Sequence, residues 1–389
     1  MKVFFLVLII LIAGLYFWYV QGVDIGPILS KARSVRVSIR VDKVSDPLDS
    51  QDAAGGLWKR LPSMPTARGE VVAGVLEDKV YVIGGIDGFG RSTGIVEVFD
   101  AKSKAWSSFT PVPEKLHHAL AATLDNKLYV IGGLSGLNFN PLNKIWVLDE
   151  KEQEWKELAD LPEAIGAGAA VAFAPGGNEK SSEARIYVFG GSTEGGLSEK
   201  TFAYNPVKNE WKVMKPIPTP REHLAAVAVG DKIYVVGGRE QSLKRNLDVL
   251  EIFIPEKNVW TVGPAMPTRR SGIAAASIGK GLYVFGGEYI LGTNEEVERF
   301  DVEAKSWKTL NSMPSSRHGM GIAAIGKTIY TIGGGKHPVL SVSAVNEAFV
   351  PPGVLSSENE VNIEVPVETK SVEIPKAATS TGSASTTAQ

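Results

Sequence analysis

The chain has 389 residues, and its 41 Lys and Arg stand against 43 Asp and Glu, a formal net charge of -2. A near-neutral chain has no overall field with which to gather nucleic acid, so that class of partner is set aside. The absence of cysteine excludes disulfides, thiolate metal sites and a thiol nucleophile.

Val3 through Val20 is an 18-residue run without a charged side chain, closing on Tyr16, Phe17, Trp18 and Tyr19. Its length meets the lower bound for a spanning helix, and its aromatic end suits the headgroup level. Residues 1–20 are therefore expected to be a single-pass transmembrane anchor. A cleaved signal peptide is the rival; against it stand the length of the run and the sequence that follows, Gln21, Gly22, Val23 and Asp24, which offers no small-x-small site. The orientation signals conflict. Lys31, Arg33, Arg36 and Arg40 after the span point to the cytoplasm, whereas a two-residue head before an apolar run is the form of a signal-type anchor that delivers the bulk of the chain outside. The extracytoplasmic side is the expectation. Residues 21–55 read as a linker, in which Val35, Val37, Ile39 and Val41 alternate with polar residues as a short strand would.

From about Trp58 to Phe349 one unit recurs. A Gly-Gly pair preceded three residues earlier by Tyr occurs six times, at Tyr81/Gly84, Tyr129/Gly132, Tyr187/Gly190, Tyr234/Gly237, Tyr283/Gly286 and Tyr330/Gly333. Successive first glycines are 48, 58, 47, 49 and 47 residues apart, a period that marks a repeated supersecondary unit. Each unit reads as four short antiparallel strands. In the fourth copy these are Leu224 to Val229, Ile233 to Val236, Leu247 to Phe253 and a strand carrying Trp260. A large apolar residue and a Trp also lie seven residues apart at Phe99/Trp106, Leu148/Trp155, Tyr204/Trp211, Phe253/Trp260 and Phe300/Trp307. A lone four-stranded sheet cannot bury both faces, and packing several radially round an axis solves that problem.

These residues resemble the kelch repeat family, whose hallmark is a double glycine after a Tyr-containing strand with a Trp further on. The resemblance implies an all-β fold, a six-bladed kelch-type β-propeller of four-stranded antiparallel blades spanning residues 56–350. One copy is irregular: Phe349 is followed seven residues later by Ser356, not Trp. The segment Gly56-Leu57-Trp58-Lys59-Arg60 leads into Leu61 to Pro65 just as the later Trp strands lead into their own proline turns. An N-terminal strand around Trp58 is therefore predicted to complete the last blade. Residues 351–389 form a tail in which Val361, Ile363 and Val365 alternate with polar residues, and Ala377 to Gln389 is expected to be disordered.

In such a meander the link into each first strand and the loop after Gly-Gly share one end of the ring. The link carries Arg68, Leu116, Ile165, Arg221, Arg270 or Arg317; two residues on stand Glu70, His118, Ala167, His223, Gly272 or Gly319. After the glycines come Ile86, Leu134, Ser192, Arg239, Glu288 and Gly335. These positions are expected to line the mouth of a central channel. Kelch resemblance implies Arg68, Arg221, Arg270 and Arg317 as contacts for an acidic partner, since planar guanidinium forks suit carboxylates; a structural role, bonding carbonyls of adjacent blades, is the competing reading. Arg239 and Glu288 break the repeat, and His118 and His223 occupy equivalent positions, so these four join the ligand-binding candidates. Pro175 to Ala184 enlarges a turn of the third copy at the opposite end.

No cofactor is expected. The histidines His117, His118, His223, His318 and His337 have neither cysteines nor a helical ligand pair beside them, so no metal set is read. Function is expected to be that of a membrane-anchored binding module presenting an arginine-bearing face to an acidic peptide, protein or glycan, rather than an enzyme. The alternative is a sugar epimerase similar to the six-bladed kelch sialic acid mutarotases, with Arg239, Glu240, Glu288, His118 and His223 as its suspects. A plain scaffold is a third reading.

Overall fold

A computed structural model describes residues 54–353. The predicted segments at 1–20, 35–42, 361–365 and 377–389 lie outside them. Among the described residues no helix is long and apolar enough to cross a membrane.

Six four-stranded antiparallel sheets form the architecture. Blade 1 runs Val72–Leu76, Lys79–Ile83, Val96–Asp100 and Trp106–Phe109 from inside to outside. The next four blades repeat this order. The innermost strands touch in a closed cycle, with Val72–Leu76 meeting both Leu120–Leu124 of blade 2 and Gly321–Ile325 of blade 6. Blade 6 takes its outermost strand from the start of the ring: Leu57–Arg60 pairs with Asn346–Val350, Trp58 opposite Phe349. The predicted closure is thus present.

The seven-residue spacing has a simple origin. In every hairpin but one it puts the Trp directly across from its partner in the adjacent strand, as at Phe99 and Trp106; in blade 6 Trp58 and Phe349 meet the same way from opposite ends of the sequence, their rings 4.8 Å apart. Each indole N–H then donates to the link leaving the preceding blade. Trp106 bonds the carbonyl of Pro62, Trp155 that of Thr110, Trp211 that of Ala159, Trp260 that of Lys215, Trp307 that of Pro264, and Trp58 that of Asn311, all at 2.9–3.0 Å. An apolar ring with one polar handle is what this wedge requires.

The glycine pairs mark a close approach between blades. The second glycine of each donates its N–H to the carbonyl of the next blade's link, as Gly85 does to Leu116 at 2.8 Å and Gly334 to Arg68 at 2.9 Å. A Cβ on Gly132 would lie 2.3 Å from the carbonyl oxygen of Ile165. Both residues of the pair also have positive φ, a region glycine reaches without penalty. The insertion at Pro175 to Ala184 is exposed around Asn178 and Glu179, and the Glu179 carboxylate accepts from the backbone N–H of Asp125 in the neighbouring blade.

Candidate functional site at the channel mouth

The four repeated arginines are enclosed by protein. Arg68, Arg221, Arg270 and Arg317 are each 0% exposed and pair with Glu97, Glu251, Glu298 and Glu347 at 2.8, 2.6, 2.7 and 2.7 Å. Each also donates to the carbonyl of the first glycine of its own blade: Gly84, Gly237, Gly286 and Gly333. These pairs tie the link, the glycine turn and the third strand together within one blade, rather than bridging adjacent blades. Burial lowers the pKa of all four guanidiniums while the glutamates oppose it. Their geometry is that of a structural staple, each guanidinium being enclosed against the glutamate of its own blade instead of facing the channel mouth as expected. Blades 2 and 3, which lack the arginine, carry Leu116 with Trp146 and Ile165 with Phe202 at the same two places, packed in apolar clusters.

Two residues beyond these positions the chain converges on the axis. Glu70, His118, Ala167, His223, Gly272 and Gly319 have φ between 50° and 63°, and their backbones bond in sequence round the opening. His118 N–H donates to Glu70 O, Ala167 to His118, His223 to Ala167, Gly272 to His223 and Gly319 to Gly272, and Val71 N–H returns to Gly319 O, at 2.7–3.2 Å. Left-handed backbone is easy for glycine and costs a side-chain-bearing residue roughly 1–3 kcal/mol. Blades 5 and 6 have the glycine; Glu70, His118 and His223 hold the same conformation with large polar side chains. Ala167 holds it too, so the strain is retained at four of six equivalent places, and at the three with polar side chains it points to a use for them.

They meet in one network. Glu70 lies 3.2 Å from His118 Nε2 and 3.0 Å from His318 Nδ1. The rings of His118 and His223 are 4.8 Å apart. Arg239 reaches His223 Nε2 at 3.2 Å, Glu222 at 3.0 Å and Glu288 at 2.6 Å. The second oxygen of Glu288 accepts from Val339 N–H at 2.9 Å. Opposite Glu70, Gly319 keeps space open, since a Cβ there would sit 2.3 Å from the carboxylate. Inward of this layer the first halves of the innermost strands line a cavity of about 260 Å³ walled by small apolar residues such as Ala121, Ala170 and Ala226.

Of the residues singled out from the sequence, Arg239, Glu288, His118 and His223 are therefore brought together, whereas Glu240 stands outside, 3.8 Å from Arg245 on an exposed loop. Glu222 and His318 were missed. Each immediately precedes one of the six axial positions, and the residue at this place pairs with the residue following the glycines in every blade, Glu222 with Arg239 and His318 with Gly335 among them.

Burial disfavours charge throughout the network, yet local partners outweigh it at several groups. Glu70 is held well below the usual carboxylate range because the imidazoles of His118 and His318 outweigh its burial. The same carboxylate, aided by Glu288, raises His318 against its own burial. His118 is pushed well below 6.5 by burial, which outweighs the attraction of Glu70. Glu222 falls to about 2, His223 and Arg239 overcoming desolvation.

The depressed groups bind fewer protons folded than unfolded, so their contribution to stability is lost on acidification. For Glu222 the window runs from its ordinary 4.5 down to about 2; for His118 it lies below 6.5. His318, being raised, contributes fully below 6.5 and loses its contribution only on the alkaline side of that value. Melting temperature followed across pH should accordingly fall between about 4.5 and about 2, and the fall should be shallower in Glu222→Gln. An unchanged acid limb in that variant would remove Glu222 from the account.

A ring of six Tyr-x-x-Gly-Gly blades stapled by tryptophan and closed by an N-terminal strand is a six-bladed kelch-repeat propeller. The chain belongs to the Attractin/LZTR1 β-propeller family, whose profile matches residues 80–341. It is 25% identical over 192 residues to beta-scruin of Limulus polyphemus, covering 48% of this chain and 15% of that protein. It is 34% identical over 98 residues to kelch-like protein 40 of Mus musculus, covering 25% of this chain and 14% of that protein. The matched segments are thus a small part of these relatives. The solved structure of YjhT superposes with a TM-score of 0.62 at 16% identity, covering 73% of this chain and 95% of that one, and shows the shared fold.

Proposed function

We propose that this propeller is a protein-interaction module tethered to a membrane by residues 1–20, with its mouth face as the docking surface and the extracytoplasmic side as its location. One observation carries the docking surface. Of eleven large hydrophobic side chains exposed among the described residues, eight sit on loops after the glycine pairs: Phe89, Leu137, Phe139, Tyr289, Ile290, Leu291, Val339 and Leu340. Those loops belong to blades 5, 6, 1 and 2, which are consecutive round the ring. Exposed apolar side chains concentrated on the loops of one face mark an interaction site, whereas scattered single residues would not. The facing loops of blades 3 and 4 are polar, and exposed Lys244, Arg245 and Lys336 on the rim favour an acidic partner in place of the enclosed arginines.

A photo-crosslinking amino acid placed at Phe89 or Leu291 in the full chain, in native membranes, should yield a discrete protein adduct. The same probe at Val262, 80% exposed on an outermost strand, should yield none. Equal labelling from Val262 would sink the assignment. A sugar epimerase is the second reading, favoured by the gathering of Arg239, Glu288, His118 and His223 at one opening; it requires the full chain to accelerate anomer exchange of sialic acid, which the interaction reading does not.

A further inference from the structure

We propose that Glu70, His118 and His223 form a binding site for a divalent transition-metal ion, with zinc the best match to one carboxylate and two imidazoles. Each residue offers one ligand atom, and the three atoms lie within 4.8 Å of one another. Zinc bonds of about 2.0–2.2 Å at tetrahedral angles set neighbouring donors roughly 3.3 Å apart, and Glu70 Oε2 and His118 Nε2 are already 3.2 Å apart. The remaining ligand is close to hand: the His223 ring lies 4.8 Å from that of His118, and its Nδ1, 3.6 Å from Glu222 Oε1, is buried without a hydrogen-bond partner on a side chain 8% exposed.

The surroundings supply the outer contacts that orient metal ligands. His318 Nδ1 lies 3.0 Å from the second oxygen of Glu70. The other ring nitrogen of His118 contacts His117 Nδ1. Arg239 is a cation beside the site, but Glu222 and Glu288 clamp it from two sides, so two carboxylates offset one guanidinium. The donors come from three blades and are held in register by the backbone ring, in a left-handed conformation that His118 and His223 adopt at a cost glycine would avoid. Three protein ligands leave a coordination position open, as in metal sites that bind a further ligand.

The test uses the full chain, stripped with a chelator and titrated with Co2+ and then Zn2+. One ion per chain is expected, with visible Co2+ absorption that Zn2+ abolishes. His118→Gly and His223→Gly copy the residue blades 5 and 6 carry at the same place, so their metal-free melting should stay close to or above that of the parent chain. Affinity should nevertheless drop by about 100-fold or more, beyond the loss typical of an outer-sphere partner. Glu70→Gln, which keeps shape and hydrogen bonding, should weaken binding likewise and covers the case in which a glycine variant misfolds. Failure of the parent chain to bind Co2+, or binding by folded variants as tight as its own, would overturn the site.

Discussion

Replacing Trp58 with Ala in the full chain is expected to cost about 3–5 kcal/mol and to exceed the same change at Trp106. Both rings lie across from a Phe and donate to a preceding link, but Trp58 is 6% exposed whereas Trp106 is only half-buried. Trp58 also sits on the strand that joins the two ends of the ring, so loosening it opens blade 6 rather than one hairpin. Its ring packs on Phe285 of blade 5 at 5.9 Å as well as on Phe349. Removal of residues 1–60 should abolish the cooperative melting transition. A truncated chain that melts like the parent would show that closure resides elsewhere.

The second large effect concerns the buried pairs. Arg221→Ile or Glu251→Phe made singly should each cost about 3–5 kcal/mol, because the partner is left charged and enclosed. The double variant should recover most of the loss, since blade 3 already carries Ile165 and Phe202 at these places within an apolar cluster. A denaturant-based double-mutant cycle would then show a coupling of several kcal/mol, far above the few tenths expected of independent sites. Additive losses would mean that the pair is not a unit. Thr219 caps the outer oxygen of Glu251 at 2.7 Å, and Thr66 and Thr268 do the same for Glu97 and Glu298. In blade 6 Ser315 stands at that place and Glu347 Oε1 is buried without a hydrogen bond.

The architecture was legible because its causes repeat along the chain. Tyr-x-x-Gly-Gly reports a strand running into a crowded turn, and the seven-residue spacing reports two residues facing each other across a hairpin; the missing sixth Trp then led to Trp58. The arginines were harder. Guanidiniums at a loop position suit a carboxylate whether it belongs to a ligand or to the same blade, and burial is not written in residue type. One signal was available: wherever the link has Arg, the second residue of the third strand is Glu, and where the link has Leu or Ile that residue is Trp or Phe. The axial cluster was legible only as equivalent positions. Glu70 and His118 lie 48 residues apart and His118 and His223 lie 105 apart, so no linear motif could join them, and only ring closure puts Glu70 of the first blade beside His318 of the sixth.

The circle of peptide hydrogen bonds round the opening carries one more consequence. Because each blade gives one link to that circle, the loops rising from it share a common base and cannot sway independently there. A partner descending on the mouth therefore meets a surface whose ordering has already been accomplished by folding, and forfeits less conformational entropy than it would in immobilising separate loops. Selectivity on such a platform comes from which side chains stand at the loop tips, and these can change without disturbing the frame.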